Sequence, residues 1–240
     1  MRTALVTGGG TGIGLAVAAA LIDSGVHVSI TGRRADALDA AVAALGPNSR
    51  ALSCDHTNPG QVKDLARRFT GPIDLLVNNA GGNTDFDTDA PVGLHELAGQ
   101  WRANLEANLI SAVVTTAAVS DRLAGGGAVV HIGSIAAHNG AGSYGAAKAA
   151  LASWNVQLAA ELGPRDVTTN VVAPGYIADT EFFRDKLADS RRNTLIASTH
   201  TGRAGTPADI AGAVSFLASS SARHITGQVI NVNGGALTTI

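Results

Sequence analysis

Residues 3–7 form an apolar, β-type run that passes without a linker into Gly8-Gly9-Gly10-Thr11-Gly12-Ile13-Gly14, and that cluster opens an Ala-rich apolar stretch from Leu15 to Ile22. After Gly25 a second β-type run follows at 26–31. Strand, glycine turn, helix and strand in this order make a βαβ unit, whose two strands lie parallel because a helix carries the chain back to the starting edge. The glycines serve chemistry as well as the turn. They let the backbone bend tightly and let a pyrophosphate approach a helix N-terminus, where free N–H groups and the dipole favour anions. A plain turn is the simpler alternative, but the placement between first strand and first helix favours dinucleotide binding.

The same alternation runs on. Strand-like segments at 50–54, 73–77, 128–132, 167–173 and 228–232 are separated by helical segments at 35–45, about 58–69, 94–123, 143–163 and 206–219. No linker, repeat or low-complexity tract interrupts them, so the chain reads as one α/β domain over 1–240, a doubly wound, Rossmann-like, seven-stranded parallel sheet. The stretch 179–205 is the least regular. Phe182, Phe183, Leu187, Leu195 and Ile196 give it the apolar cover of a substrate lid, expected at about 176–205.

Composition excludes several classes of function. A net charge of −2 gives no reason to expect nucleic acid or an anionic membrane, and no apolar run reaches the ~20 residues of a membrane span. Cys54 is the only cysteine, which rules out an internal disulfide and suits a soluble cytoplasmic protein. The seven histidines form no ligand cluster, and Asp85, Asp87, Asp89 and Glu96 match a calcium loop only until Ala90, where that loop needs Gly, so no metal is expected.

Chemistry concentrates at Tyr144 and Lys148. Four apart on a helix, they lie side by side, and a cation beside a phenol lowers its pKa toward neutrality, which makes the pair a candidate general acid/base. Ser134 ends the fifth strand, where open parallel sheets keep their chemistry, and can donate to a substrate oxygen; without a G-x-S-x-G elbow it is not read as a nucleophile. Asn104 and Asn108 share one helix face, either as a polar interface or as functional groups. The second strand ends Thr31-Gly32-Arg33-Arg34, two guanidiniums and no acid, which suits a ribose 2′-phosphate and favours NADP over NAD; Arg34 is the one more easily read as merely solvating the next helix. Asp55, after the third strand, is a turn residue or an acceptor for an adenine amino group.

These residues resemble the short-chain dehydrogenase/reductase family from Thr3 to Gly235. The resemblance rests on Thr7-Gly8-x-x-x-Gly12-x-Gly14, Asn78-Asn79-Ala80-Gly81, Ser134 with Tyr144-x-x-x-Lys148, and Pro174-Gly175. It implies Tyr144 as proton donor to a carbonyl oxygen, or base in the reverse direction. Lys148 would tune the phenol and bind the nicotinamide ribose, Ser134 would polarise the substrate oxygen, and Asn108, rather than Asn104, would serve proton relay. It also implies a cofactor site of Gly8, Gly10, Thr11, Gly12, Ile13 and Gly14 at the pyrophosphate and Arg33 and Arg34 at the 2′-phosphate. Asp55 and His56 would flank adenine, Asn79, Ala80 and Gly81 would support the adenosine side, and Pro174, Gly175, Ile177 and Thr180 the nicotinamide. A homotetramer, or a dimer, burying helices at 94–123 and 143–163 is the family's expectation. One departure is a Ser134-to-Tyr144 spacing of ten residues, shorter than the family's usual loop, which implies a thinner substrate wall there.

The resulting expectation is an NADP-dependent enzyme that reduces a ketone, including a 3-oxoacyl thioester, or oxidises the matching secondary alcohol. The pattern is most similar to 3-oxoacyl carrier-protein reductases and related ketoreductases. The alternatives are a secondary-metabolite ketoreductase, an alcohol or sugar dehydrogenase, and a non-catalytic NADP-binding regulatory module.

Overall fold

The computed structural model describes residues 2–184 and 186–239. Seven strands, β1 (Thr3–Thr7), β2 (His27–Gly32), β3 (Ser49–Ser53), β4 (Ile73–Asn78), β5 (Leu123–Ile132), β6 (Thr168–Pro174) and β7 (Val229–Val232), form one sheet in the order β3-β2-β1-β4-β5-β6-β7. Every pairing is parallel. The order reverses between β1 and β4, and that switch point opens a crevice at the carboxyl ends of the strands.

Strand side chains alternate faces, and the two faces bury two cores. Ala4 and Val6 of β1, Val28 and Ile30 of β2, and Leu75 and Val77 of β4 pack against helices α1 (Gly12–Asp23), α2 (Ala35–Leu45) and α9 (Pro207–Leu217). Leu5, Leu76 and Val129 face the other way, onto α3 (Pro59–Arg67), α5 (Ser111–Val119) and α7 (Gly142–Leu162). Between them come α4 (Leu94–Leu105), the short α6 (Ala136–Asn139) and α8 (Asp189–Ala197).

Three local readings change. The segment read as one helix over 94–123 is α4 and α5 joined by a π turn at Glu106–Ile110. β5 begins at Leu123, before Gly125-Gly126-Gly127, because those glycines form a bulge against β4: the register jumps from Ile73↔Leu123 to Leu75↔Ala128. A side chain at Gly127 would sit 2.7 Å from the Ala124 carbonyl oxygen and 2.8 Å from that of Asp74, so the bulge admits only glycine there. The 176–205 segment is also more ordered than its composition suggests. Its stem is closed by a parallel bridge between Ile177 and Gly205, and it contains α8, a polar helix with no apolar stripe to announce it. Among the described residues no helix is long and apolar enough to cross a membrane.

Candidate active site

Buried residues of α7 recur as Tyr144, Lys148, Leu151, Asn155, Leu158 and Leu162, one stripe at helical spacing. The lower part of that stripe fills the core; its top two members are the candidate acid/base pair. Tyr144 is 7 % exposed and Lys148 5 %. The Lys148 ammonium donates to the Ile132 carbonyl at the end of β5 (2.8 Å) and lies 5.7 Å from the centre of the Tyr144 ring. Ser134, two residues past that strand end, accepts from the Ala136 N–H (3.1 Å), which turns the chain into α6. Gly145 lets α7 pack on this turn, since a Cβ there would lie 2.6 Å from the Ala136 carbonyl oxygen. The ten-residue connection thus becomes one helical turn packed backbone to backbone.

Electrostatics at the pair departs from the expectation. The phenol was to be lowered by the ammonium, yet burial pushes Tyr144 up to about 12, opposed only by its hydrogen bond with Ser134. Burial also draws Lys148 down to about 8. Desolvation disfavours both charged forms and outweighs their neighbouring positions. At neutral pH Tyr144 is accordingly a protonated donor.

Both asparagines of the α4 face are buried and engaged. Asn108, inside the π turn, accepts from the Gly82 N–H (3.0 Å) and donates to the carbonyls of Gly82 (2.9 Å) and Asn104 (3.0 Å). It clamps the chain beyond β4, and a Cβ at Gly81 would come within 2.6 Å of its Oδ1. Asn104 accepts from Thr84 N–H (3.1 Å) and donates to the Asp85 carboxylate (2.9 Å) and the Ser143 hydroxyl (2.8 Å). The Asp85 carboxylate also accepts from Ser143 Oγ (3.2 Å). The loop beyond β4 is therefore tied to the residue that precedes Tyr144. Sequence reasoning missed Asp85 in this part, because it acts only once its loop folds back onto α7.

The glycine loop sits at the switch point. Gly8 and Gly12 have positive φ (64° and 53°), and Gly14 packs on the Gly8 carbonyl and the Asn79 side chain. The Asn79 amide donates to the carbonyls of Thr7 (2.9 Å) and Gly8 (3.0 Å), and the Thr7 hydroxyl accepts from the N–H groups of Asn79 and Ala80 (both 2.9 Å). Thr7, which the motif reading named without a role, is thus a loop-setting residue. Thr11 heads α1 without a side-chain cap bond, which leaves the first N–H groups of a twelve-residue helix for an anion. Gly10 faces Ala37, and Ile13 packs on the core beneath. A Cβ at Gly8 would sit 2.9 Å from the Asn79 amide nitrogen and 3.0 Å from Ala80 Cα, so only glycine lets the loop pack on the chain beyond β4, and the free N–H groups that this loop presents at the start of α1 suit the pyrophosphate of a dinucleotide.

Around the crevice the other expected residues divide. Arg33 is exposed at the end of β2, makes no ion pair among the described residues, and lies close enough to Asp55 to help hold that carboxyl below its usual range, a shift dominated by the Thr57 N–H. Arg34 instead pairs with Glu181 (2.7 Å) and reaches Thr11 Oγ1 (3.5 Å), linking the glycine loop to the 176–205 segment. Thr180 lies over Gly12, about 3.6 Å from where a Cβ would stand. Ile177 is buried, Pro174 ends β6, and Gly175 packs against Asn233. His56 does not flank an open site with its ring. Its imidazole is 6 % exposed and bonded at both nitrogens, to Thr31 Oγ1 and Thr115 Oγ1 (each 2.7 Å), so it pins β2 to α5, and burial lowers it to about 4.

A doubly wound parallel sheet, a glycine cradle at its switch point and a buried Tyr-Lys pair with a half-buried serine at the carboxyl end of β5 define a nucleotide-cofactor oxidoreductase. The chain belongs to the short-chain dehydrogenase/reductase family: the family model described as enoyl-(acyl carrier protein) reductase matches residues 8–237. It is similar to the 3-oxoacyl-(acyl-carrier-protein) reductase FabG of Escherichia coli (strain K12), with 36% identity covering 98% of this chain and 96% of that one. Among solved structures, a 7 alpha-hydroxysteroid dehydrogenase complexed with NADH and 7-oxo glycochenodeoxycholic acid superposes with a TM-score of 0.89 at 31% identity, covering 98% of this chain and 93% of that one. A blue fluorescent protein from a metagenomic library, in complex with NADPH, gives 0.86 at 31%, covering 99% and 98%.

Proposed function

We propose that the chain reduces a ketone to a secondary alcohol, or runs the reverse, with NADPH as the preferred partner and Tyr144 as acid/base. The observation that carries this reading is the convergence of Tyr144, Lys148 and Ser134 at the carboxyl end of β5, beside the glycine cradle. Bound NADPH supplies the hydride. Tyr144 donates its proton to the carbonyl oxygen as negative charge develops there, and Ser134 donates a hydrogen bond to the same atom. Lys148, charged below about pH 8, sits where it stabilises the phenolate left behind and can bond a ribose hydroxyl. Asn108 holds the Gly82 backbone and the Asn104 carbonyl in place, and by the family resemblance it would serve proton relay.

The glycine cradle and α1 N-terminus would take the pyrophosphate, Asp55 the adenine side, and Pro174, Gly175, Ile177 and Thr180 the nicotinamide side. Arg33 would take the 2′-phosphate. The NADPH complex of one structural relative supports that preference, while the NADH complex of another makes it a matter for assay. The 3-oxoacyl thioester named for the FabG relative is a substrate to test. The matching family model is described as an enoyl reductase, but paired Ser134 and Tyr144 hydroxyls suit an oxygen that becomes an alkoxide.

We place the protein in the cytoplasm as a homo-oligomer. Exposed Leu94, Leu97 and Trp101 form an apolar stripe on α4, and Val156 on α7 is 61 % exposed, as a subunit interface needs. The 176–205 segment serves as the substrate lid. The test is NADPH absorbance loss over a panel of ketones and a short 3-oxoacyl thioester, run beside NADH and a Tyr144→Phe control. Turnover that requires Tyr144 and prefers NADPH supports the reading; NADPH binding without turnover of any carbonyl contradicts it.

A further inference from the structure

The chain is poor in aromatic residues, at 4%, yet three of its five phenylalanines and both tyrosines gather in one place. Phe182 packs tilted against Tyr144, with ring centres 5.5 Å apart and planes at 58°. Phe182 meets Phe183 edge-to-face (4.9 Å, 85°) and Phe86 edge-to-face (5.8 Å, 90°), while Phe86 and Phe183 lie 5.6 Å apart and Tyr176 closes the far side at 6.0 Å from Phe183. Phe86, Phe182, Phe183 and Tyr176 are all only half-buried. Edge-to-face packing of this kind holds ring edges and faces toward a shared space, and a further planar ring can join it.

The two walls are held differently. Phe86 belongs to the loop that Asp85 ties to Asn104 and Ser143, so it is fixed relative to Tyr144. Phe182 and Phe183 ride on a single turn, Glu181–Phe183, bracketed by Asp179 and Arg184, both in the left-handed region (φ 56° and 47°). That turn is fastened to the Phe86 loop by exposed polar ties, Arg184 to Asp87 (2.6 Å) and Lys186 to the Phe86 carbonyl (2.5 Å). Exposed ties of this sort contribute little to stability.

Resting on the proposed reaction, we infer that the preferred substrate is a ketone bearing an aromatic ring next to its carbonyl, held between Phe86 on the fixed wall and Phe182 on the moving one. Phe182 lies 5.5 Å from the Tyr144 ring, so a ketone whose oxygen reaches the Tyr144 hydroxyl has Phe182 among the side chains nearest its substituent. An aromatic substituent replaces the ring contacts it displaces, whereas a straight alkyl chain does not reproduce their geometry. Phe86 and Phe182 are thereby specificity-determining residues.

The experiment measures kcat/KM of the intact protein with NADPH on an aryl methyl ketone, a straight-chain methyl ketone of equal carbon number and a short 3-oxoacyl thioester. Wild type, Phe86→Ala, Phe86→Leu and Tyr144→Phe are compared, with NADPH affinity and Tm checked for each. The expected result is a preference for the aryl ketone of about tenfold or more, the scale of one to two aromatic contacts, with Phe86→Ala and the volume-keeping Phe86→Leu both eroding it at unchanged NADPH affinity. Equal rates on the two methyl ketones, equal losses in the Phe86 variants, or Tyr144-dependent turnover of the thioester alone overturns the aromatic assignment and leaves carbonyl reduction standing. Absence of Tyr144-dependent turnover on all three overturns the underlying reaction and this inference with it.

Discussion

At the scale of single residues, burial sets the chemistry. Tyr144 and Lys148 lie on the stripe of α7 that also carries Leu151 and Leu158, and the desolvation that makes those leucines stabilising drives the phenol up and the ammonium down. Tyr144→Phe removes the proton donor but keeps the ring that packs on Phe182, so turnover should fall about 10²–10⁴-fold while Tm and NADPH affinity hold, as steady-state kinetics and fluorescence titration would show. Arg33 is the exposed cation at the end of β2, and one charge-assisted contact contributes roughly 1.5–3 kcal/mol. Arg33→Ala should weaken NADPH about tenfold or more and NADH little; equal weakening would remove the 2′-phosphate assignment. His56 behaves otherwise. Its place after Asp55 suggested an adenine contact, but its ring is spent on Thr31 and Thr115, a pairing between residues 59 positions apart that no local pattern shows.

At the scale of elements, what was legible followed periodicity and what was hidden depended on long-range contact. The apolar run of β1, the glycine turn and the four-residue spacing of Tyr144 and Lys148 are local signals, and each names its element directly. The bulge at Gly125-Gly126-Gly127 reads locally as a break, because only pairing with β4 turns it into part of a strand. α8 carries no apolar stripe and was invisible for that reason. The tie among Asp85, Asn104 and Ser143 spans three elements, and its residues looked respectively like a loop acid, one of two ambiguous asparagines and a helix start. Asn104→Ala leaves the Thr84 N–H without its acceptor and takes one hydrogen bond each from Asp85 and Ser143, so we expect a loss of about 1–3 kcal/mol in urea unfolding together with a fall in kcat, since only the Asp85–Ser143 contact still ties the loop to α7. A stability loss with kcat intact would show that the tie does not position Tyr144.

At the scale of the whole molecule, the polar interior makes stability depend on pH. His131 is fully enclosed between Asn78 (3.1 Å) and Thr169 (3.3 Å), and burial, with Lys148 nearby, lowers it to about 3; His56 falls to about 4. Above pH 6.5 both are neutral whether the chain is folded or not, and nothing is lost. Below 6.5 the unfolded chain takes up protons that the folded chain refuses, so stability declines by up to about 1.4 kcal/mol per pH unit per histidine, until pH approaches 4 for His56 and 3 for His131. Urea midpoints between pH 6.5 and 5, above the ordinary carboxylate range, should therefore drop, and His56→Gln should flatten the slope; a midpoint constant over that window would contradict the buried neutral rings. Lys148 acts in the same sense at alkaline pH, because its folded pKa is also lowered by burial. Folded, it releases its proton near 8 while the unfolded chain keeps it to 10.5, so stability gains across that interval.

The central claim is that this sheet delivers a hydride to a carbonyl carbon while Tyr144 supplies the proton. The most direct measurement supplies NADPH deuterated at the transferring position with a reducible ketone and reads the product by mass spectrometry, for wild type and Tyr144→Phe. Deuterium on the carbinol carbon with wild type, and almost none with the variant although it binds NADPH, is the result this account predicts. Label-free alcohol from wild type, or equal labelling by the Tyr144→Phe protein, would contradict it.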